Sequence, residues 1–426
     1  MRIQRLDWDG SDPGALAARL RAMTPAPGEV GERVASIIGR VRAGGDAAIR
    51  EFAAELGERA PDHPRVDEEA IALAPALIDR AVSRALTVAA TNIGRVAAAE
   101  LEAILTPTEL QLDQGQRVEI RAGPVDAVGV YAPGGRGAYP SSLLMCALPA
   151  RVAGARRIAV ASPPGDDGRP STAVLAACAM TGVTEVYAVG GAQAIAAFAF
   201  GTETIPPVDV IAGPGNSYVT EAKRQVSGRV GIDGLAGPSE LVVVADGSAD
   251  PEWIALDLCA QAEHAEDSCL VAISTDGALL ERVETRVAAL AADRPSVADA
   301  PLALVGAPSL EAALGLADAF APEHLELAFD GADEATARRR VAGCVFVGAG
   351  GATAFGDYAA GSNHVLPTGG AARFGGPLGP GAFMRRSSVV SVPSAAAREL
   401  APHVAAIAEA EGFPVHGESA SARASR

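Results

Sequence analysis

The stretch VDAVGVYAPGGRGAYPSSLLMCALPARVAGARRIAVAS, residues 125–162, decides the fold. It opens on a short β-rich run, VDAVGVY, turns through glycines, and enters a helical run, SSLLMCALPARVAG. A second strand-like run, RRIAVAS, follows. Strand, glycine turn, helix, strand is the pattern of a βαβ unit and so of a parallel sheet. The unit recurs downstream: STAVLAACAMTG is a helical segment leading to EVYAVGG (185–191), and VDVIAG (208–213) is a further strand. A second alternating block carries the strands ELVVVAD, CLVAIS, LALVGA and CVFVGA and the helical segments DPEWIALDLCAQAEH and LEAALGLADAF. Two such blocks predict a pair of α/β domains.

Upstream of residue 120 the pattern is helical, as in EVGERVASIIGRVRAGGDAAIREFAAEL and the alanine-rich stretch from Ile71 to Leu105. Downstream, the Gly/Pro-rich TGGAARFGGPLGPGAF separates the body from a tail. The tail holds SSVVSVPS, a helix to about Glu411, and EGFPVHGESASAR. It is too short to hold its own core and must dock on its own body or on a partner subunit.

Of 426 residues, 35 are basic and 52 acidic, giving a net charge of −17. That balance disfavours nucleic-acid binding, since an acidic surface repels phosphate backbones. Apolar content of 49% excludes a disordered chain. No apolar run approaches the ~18 residues of a membrane span. The opening MRIQRLDWDGSDPG lacks the apolar core of a secretory signal, so a soluble, cytoplasmic protein is expected. Five cysteines (Cys146, Cys178, Cys259, Cys269, Cys344) lie far apart in apolar surroundings without C-x-x-C spacing. They read as buried small hydrophobes rather than disulfides or thiolate metal ligands.

Four of the six histidines sit at helix ends or in Gly/Pro-punctuated turns beside carboxylates. Gln261 and His264 of QAEH are one turn apart on a helix predicted to start at Asp250–Pro251, and both can offer a lone pair to a cation. A solvated helix end is the commoner origin of such a pair. Glu323 and His324 are adjacent in APEHLELAF, where Pro322 ends a helix and a strand begins. They are either an acid–base pair or a surface charge pair. Asp357 and His364 lie in the irregular FGDYAAGSNHVLPTGG, and Glu411 and His416 in the tail. A Gln/His/Asp/His set without cysteine suits zinc, or manganese as a lesser choice.

Three glycine turns form a second group. Tyr131, Gly134 and Gly135, then Gly190, Gly191 and Gln193, then Gly213, Gly215 and Asn216 each follow a strand and open a helix. Such turns line the crevice of an open α/β sheet and receive phosphates at helix N-termini. None matches G-x-G-x-x-G, so the dinucleotide fingerprint is incomplete.

YAPGGRGAYPSSLLMCALPA, VGGAQAIAAFAFGT, IAGPGNSYVTEAKR, GPSELVVVAD, QAEH, APEHLEL, GDYAAGSNHVLPT and EGFPVH, in this order from Tyr131 to His416, closely resemble the histidinol dehydrogenase family. The resemblance implies oxidation of L-histidinol to L-histidine through the aldehyde, with two NAD. It implies one zinc ion per subunit on Gln261, His264, Asp357 and His416, and an acid–base pair of Glu323 and His324. Substrate contacts would fall on Ser239, His364 and Glu411 together with the metal ligands and the acid–base pair. NAD contacts would fall on Tyr131, Gln193 and Asn216. The family's homodimer, in which the tail of one chain completes the other's site, would answer where the tail docks.

The expected architecture is therefore two Rossmann-like α/β domains, a helical N-terminal region and a small C-terminal segment docked on the partner subunit. The expected division is a helical segment at 1–27, an α/β domain from 28–124 and 238–378 with most metal and catalytic residues, an NAD-binding domain at 125–237, and a dimer-exchange segment at 379–426. The nearest alternative is a sister dehydrogenase on the same scaffold acting on another small polar primary alcohol, such as a sulfonated diol. A pyridoxal-phosphate enzyme would need Lys223, the single lysine, which the pattern of AKRQV places on an exposed helix face. A non-catalytic metal-binding protein has no account of the retained Glu323 and His324.

Overall fold

The chain opens with a strand where a helical segment was expected. In this computed structural model, which describes residues 1–24, 30–59, 63–106, 108–134 and 137–425, β1 (Arg2–Asp7) pairs in parallel with a distant strand, Arg2 opposite Pro301 and Asp7 opposite Gly306. Six alternating residues beside long helical patterns give a weak signal, and the pairing that stabilises them is non-local. Helix α1 (Pro13–Arg21) follows, capped by the Asp12 carboxylate, which accepts from the Ala15 amide.

Next come α2 (Gly31–Glu55), α3 (Glu68–Leu77) and α4 (Arg80–Ile104), then an antiparallel pair, β2 (Thr108–Gln111) and β3 (Arg117–Pro124). The first alternating block runs β4 (Ala127–Tyr131), α5 (Pro140–Ala153), β5 (Arg157–Ser162), α6 (Thr172–Thr181), β6 (Glu185–Ala188), α7 (Gly191–Phe200), β7 (Val210–Ala212), α8 (Ser217–Val226) and β8 (Gly231–Ile232). Its five strands form a parallel sheet in the order β6-β5-β4-β7-β8. Counted within the block this is 3-2-1-4-5, the Rossmann order. The helices α2, α3 and α4 complete this unit: α2 packs on α7 and α8, α3 on α6, and α4 on α5. They do not join the second sheet, with which the expected division grouped residues 28–124. Their apolar faces fill the two layers of the first sheet, for example Ile93 beside Leu144 and Phe52 among the residues around Phe198. Gly129, in the middle of β4, makes room for Phe198, whose ring lies 2.7 Å from where a Cβ would stand.

The second block runs β9 (Glu240–Ala245), α9 (Pro251–Ala262), β10 (Cys269–Ser274), α10 (Gly277–Asp293), β11 (Pro301–Gly306), α11 (Leu310–Phe320), β12 (His324–Ala328), α12 (Glu334–Ala337), β13 (Cys344–Val347) and α13 (Thr353–Tyr358). Its parallel sheet has the order β1-β11-β10-β9-β12-β13. Without β1 this is again 3-2-1-4-5. The central strands β9, β10 and β12 are buried along their whole length, which is why they read as continuous apolar runs.

The tail contains β14 (Met384–Ser391), α14 (Ser394–Ala410) and α15 (Pro414–Ala424). Strand β14 pairs with β3 of the same chain, Met384 opposite Pro124, so the first part of the tail docks on its own body. Helices α14 and α15 pack chiefly on each other, leaving Ile407, Phe413 and Val415 more than half exposed. All five cysteines are free thiols, four of them buried. Among the described residues, no helix is long and apolar enough to cross a membrane.

Candidate active site

A cavity of about 1260 Å³ lies between the two parallel sheets. The first sheet lines it from its carboxyl edge, with Pro133 and Gly134 after β4 and Pro214 to Ser217 after β7. The second sheet lines it from the opposite, amino edge: Ser239 precedes β9, and Glu323 and His324 stand at the start of β12. The helix ends and turns beside these edges add His264, Asp357 and His364.

Glu323 is buried and held by two donors on one oxygen. The Ser239 hydroxyl and the Glu240 amide both donate to Oε2 at 2.9 Å. His324, 3% exposed, has Nδ1 at 3.7 Å from that oxygen and Nε2 at 3.3 Å from Asp357 Oδ1. His264 Nε2 lies 3.9 Å from the other Asp357 oxygen. Asp357 thus stands between two imidazoles. Burial pushes its carboxyl up, but the facing His264 and His324 imidazoles outweigh burial and hold it well below the usual carboxylate range. Burial lowers His324, yet the facing Glu323 and Asp357 carboxylates win and raise it; the nearby Asp357 carboxylate likewise raises His264.

His364 bridges the two halves. Its Nδ1 lies 2.7 Å from the Asp357 carbonyl oxygen and its Nε2 3.0 Å from the Ser142 hydroxyl on α5. Burial lowers its pKa and favours the neutral ring. The expected substrate contact is therefore already engaged at both nitrogens, although it lines the cavity.

Gln261 does not line the cavity. It is 1% exposed on the last turn of α9, and neither atom of its side-chain amide has a hydrogen-bond partner. A buried amide without partners is costly, and a cation at its oxygen is one way to satisfy it. Its neighbours His264 and Asp357 have the nitrogen and oxygen donors that suit zinc. The residues present fit such an ion, but the set within one chain is incomplete: among the described residues no three His, Cys, Asp or Glu side chains are placed to hold a metal ion by themselves.

Two local expectations need correction. Helix α9 ends at Ala262 and His264 lies in the turn beyond it, since Glu263 caps the helix. Asp357 sits on the short helix α13 rather than in an irregular loop. Of the three anticipated NAD contacts only Asn216 lines the cavity. Tyr131 and Gln193 are buried, and the Tyr131 phenol accepts from the Gly191 amide at 3.0 Å. Gly135 lies outside the described residues. Glu411, the C-cap of α14, and His416, in the first turn of α15, do not line this chain's cavity.

Two partners were missed. The Ser142 hydroxyl was signalled only by its place at a helix start after a glycine turn, and the Glu240 amide carries no side-chain signal. Lys223, expected on an exposed face, is 2% exposed and ion-paired with Asp233. A paired, buried ammonium is not placed for a Schiff base.

Comparison with known proteins bears on this site. A family model described as histidinol dehydrogenase matches residues 21–424. A histidinol dehydrogenase of Gluconobacter oxydans is 44% identical, over 92% of this chain and 93% of its own. One from Rhodospirillum rubrum is 43% identical over 99% of both. Among solved structures, histidinol dehydrogenase from Elizabethkingia anophelis superposes with a TM-score of 0.89 at 31% identity, covering 99% of this chain and 98% of that one. The match spans both sheets, the cavity between them and the tail: the chain belongs to the histidinol dehydrogenase family.

Proposed function

We propose that this chain oxidises L-histidinol to L-histidine through L-histidinal, reducing two NAD, with one zinc ion per subunit. The observation that carries the reading is the Glu323–His324–Asp357 chain on one wall of a cavity whose other wall is the carboxyl edge of a Rossmann-ordered sheet. Family membership supplies the substrate. Gln261, His264 and Asp357 would hold the zinc together with His416 of a second copy. Bound zinc supplies a fixed positive charge for the amine and imidazole nitrogens of the substrate, and NAD supplies the hydride acceptor for both oxidations.

His324 accepts the alcohol proton in the first oxidation, and Asp357 at its Nε2 stabilises the imidazolium that results. Glu323, oriented through Oε2 by Ser239 and the Glu240 amide, then takes a proton from the water that attacks the aldehyde. No cysteine adduct is needed, in keeping with five free thiols of which none lines the cavity. Free thiols also suit a reducing, cytoplasmic setting. A homodimer with shared sites accounts for Glu411 and His416 on a helical pair whose apolar side chains stand exposed.

The test is NADH formed per molecule of L-histidinol, with a chelator and with zinc restored. Two NADH, lost on chelation and recovered with zinc, are expected. One NADH would remove the role given to Glu323. No turnover by zinc-loaded protein would leave the sister dehydrogenase of another primary alcohol.

A further inference from the structure

Two of the glycine turns at the carboxyl edge of the first sheet, those of Gly191 and Gly213, meet at Tyr131. Its phenol accepts from Gly191, and its carbonyl oxygen lies 2.1 Å from where a Cβ on Gly213 would stand. Gly213 also has φ +122°, so only glycine fits here. A turn drawn this tightly against a neighbouring strand needs both of its peptide groups satisfied. In this chain a buried ion pair satisfies them. The Gly213 amide donates to Asp233 Oδ2 at 2.7 Å, and the Gly213 carbonyl accepts from Lys223 Nζ at 3.1 Å. Asp233 Oδ1 pairs with Lys223 and also accepts from the Gly234 amide at 2.8 Å. Both side chains are 3% exposed.

We infer that Lys223 and Asp233 are positioning residues for the nicotinamide cofactor, locking the Gly213 turn in its binding shape before the cofactor arrives. The inference rests on the proposed NAD site. From Gly213 the chain runs directly into Pro214, Gly215, Asn216 and Ser217, which form the cavity wall at the start of α8. Asn216 caps that helix by accepting from the Tyr218 and Val219 amides. Lys223 rides on α8 itself, and Asp233 follows β8. The pair therefore ties together the turn before the helix, the helix body and the strand beyond. A buried ion pair is a poor source of stability, because desolvation offsets its attraction, but it fixes geometry at both ends. Holding the turn in advance removes an ordering cost that cofactor binding would otherwise carry.

The test uses the zinc-loaded full chain and two variants, Lys223→Met and the double variant Lys223→Met/Asp233→Asn, which leaves no orphaned charge if the single variant fails to fold. NADH affinity is read by fluorescence titration, and KM for NAD and for L-histidinol from steady-state rates. The NADH Kd and the KM for NAD should rise about tenfold or more, while kcat at saturating NAD and the KM for L-histidinol stay within about twofold. Unchanged NAD parameters in a folded variant overturn the inference, as does a uniform loss of all four, which would mark a merely structural role. On the unmodified protein, the peptide covering Gly213 should exchange its amide hydrogens slowly without cofactor, and fast exchange there overturns the inference with no variant at all. The outcomes separate the two readings. Unmodified protein that binds NADH but leaves L-histidinol untouched refutes the substrate and spares the clamp, whereas protein that binds no NADH refutes both.

Discussion

Both donors to Glu323 fall on a single oxygen, from the Ser239 hydroxyl and the Glu240 amide. Glu323→Gln keeps an acceptor for them and removes the base. Loss of a positioned base costs roughly 10²–10⁴-fold. The variant should therefore lose that factor in turnover of L-histidinal, measured as NADH formed from the aldehyde, with its unfolding midpoint nearly unchanged. A second buried pair responds to pH. Burial pushes Glu326 up to about 9, and the facing Asp257, itself raised by burial, adds to the shift. A carboxyl whose folded pKa exceeds its unfolded value keeps its proton in the folded state after the unfolded chain has released it. Its contribution to stability therefore falls as pH rises from the ordinary carboxylate range through about 9. The urea midpoint of the unmodified protein should drop more steeply over that window than that of Glu326→Gln. Residue identity showed which groups have the right chemistry, since Glu323, His324, Asp357 and His264 do converge. Identity could not show burial: Lys223 looks like a surface lysine, and Tyr131 like a cavity-facing ring, until the strands on either side are in place.

The two sheets present opposite edges to one cavity, carboxyl from the first and amino from the second. The rule that ligands sit at strand carboxyl ends describes the first sheet and fails for the second. Here Glu323 and His324 stand at the start of β12, so their placement depends on how α11 ends. That helix stops at Ala321, a buried residue in the left-handed region with φ +51° and no glycine to ease it. A β-branched side chain fits such a backbone poorly and also overpacks the site. Ala321→Val should cost about 2–4 kcal/mol of stability and displace Glu323 and His324, lowering activity further than it lowers stability. Urea unfolding and NADH production read the two effects separately. The longer strands of both blocks were legible because buried parallel strands are nearly continuous apolar runs, whereas the two-residue β8 was not. Strand β1 was not, since its partner lies at the other end of the chain. The allotment of α2, α3 and α4 was also illegible, because an amphipathic helix announces an apolar face but not the sheet it will cover.

At the scale of the whole molecule, the tail begins on its own body and ends in two helices packed chiefly on each other. Strand β14 pairs with β3, yet α14 and α15 expose Ile407, Phe413 and Val415 together, and Glu411 and His416 lie on this part. If a second copy accepts this pair of helices, Glu323→Gln and His416→Ala proteins, each unable alone to form L-histidine, should complement in L-histidine formation when unfolded and refolded together. Random reassortment places one intact site in each mixed dimer, for about a quarter of the normal activity. No activity from mixed dimers shown to form would exclude a shared site. The pairing of β1 with β11 has a consequence of a different kind, in the order of synthesis. Residues 2–7 leave the ribosome long before the strand they dock on, Pro301–Gly306, which follows the whole first sheet and then β9 and β10. At about 5–20 residues per second the first strand waits roughly 15–60 s with an unpaired edge. The first sheet can close around α2, α3 and α4 during that interval, while the second must wait for β11, β12 and β13 to be made.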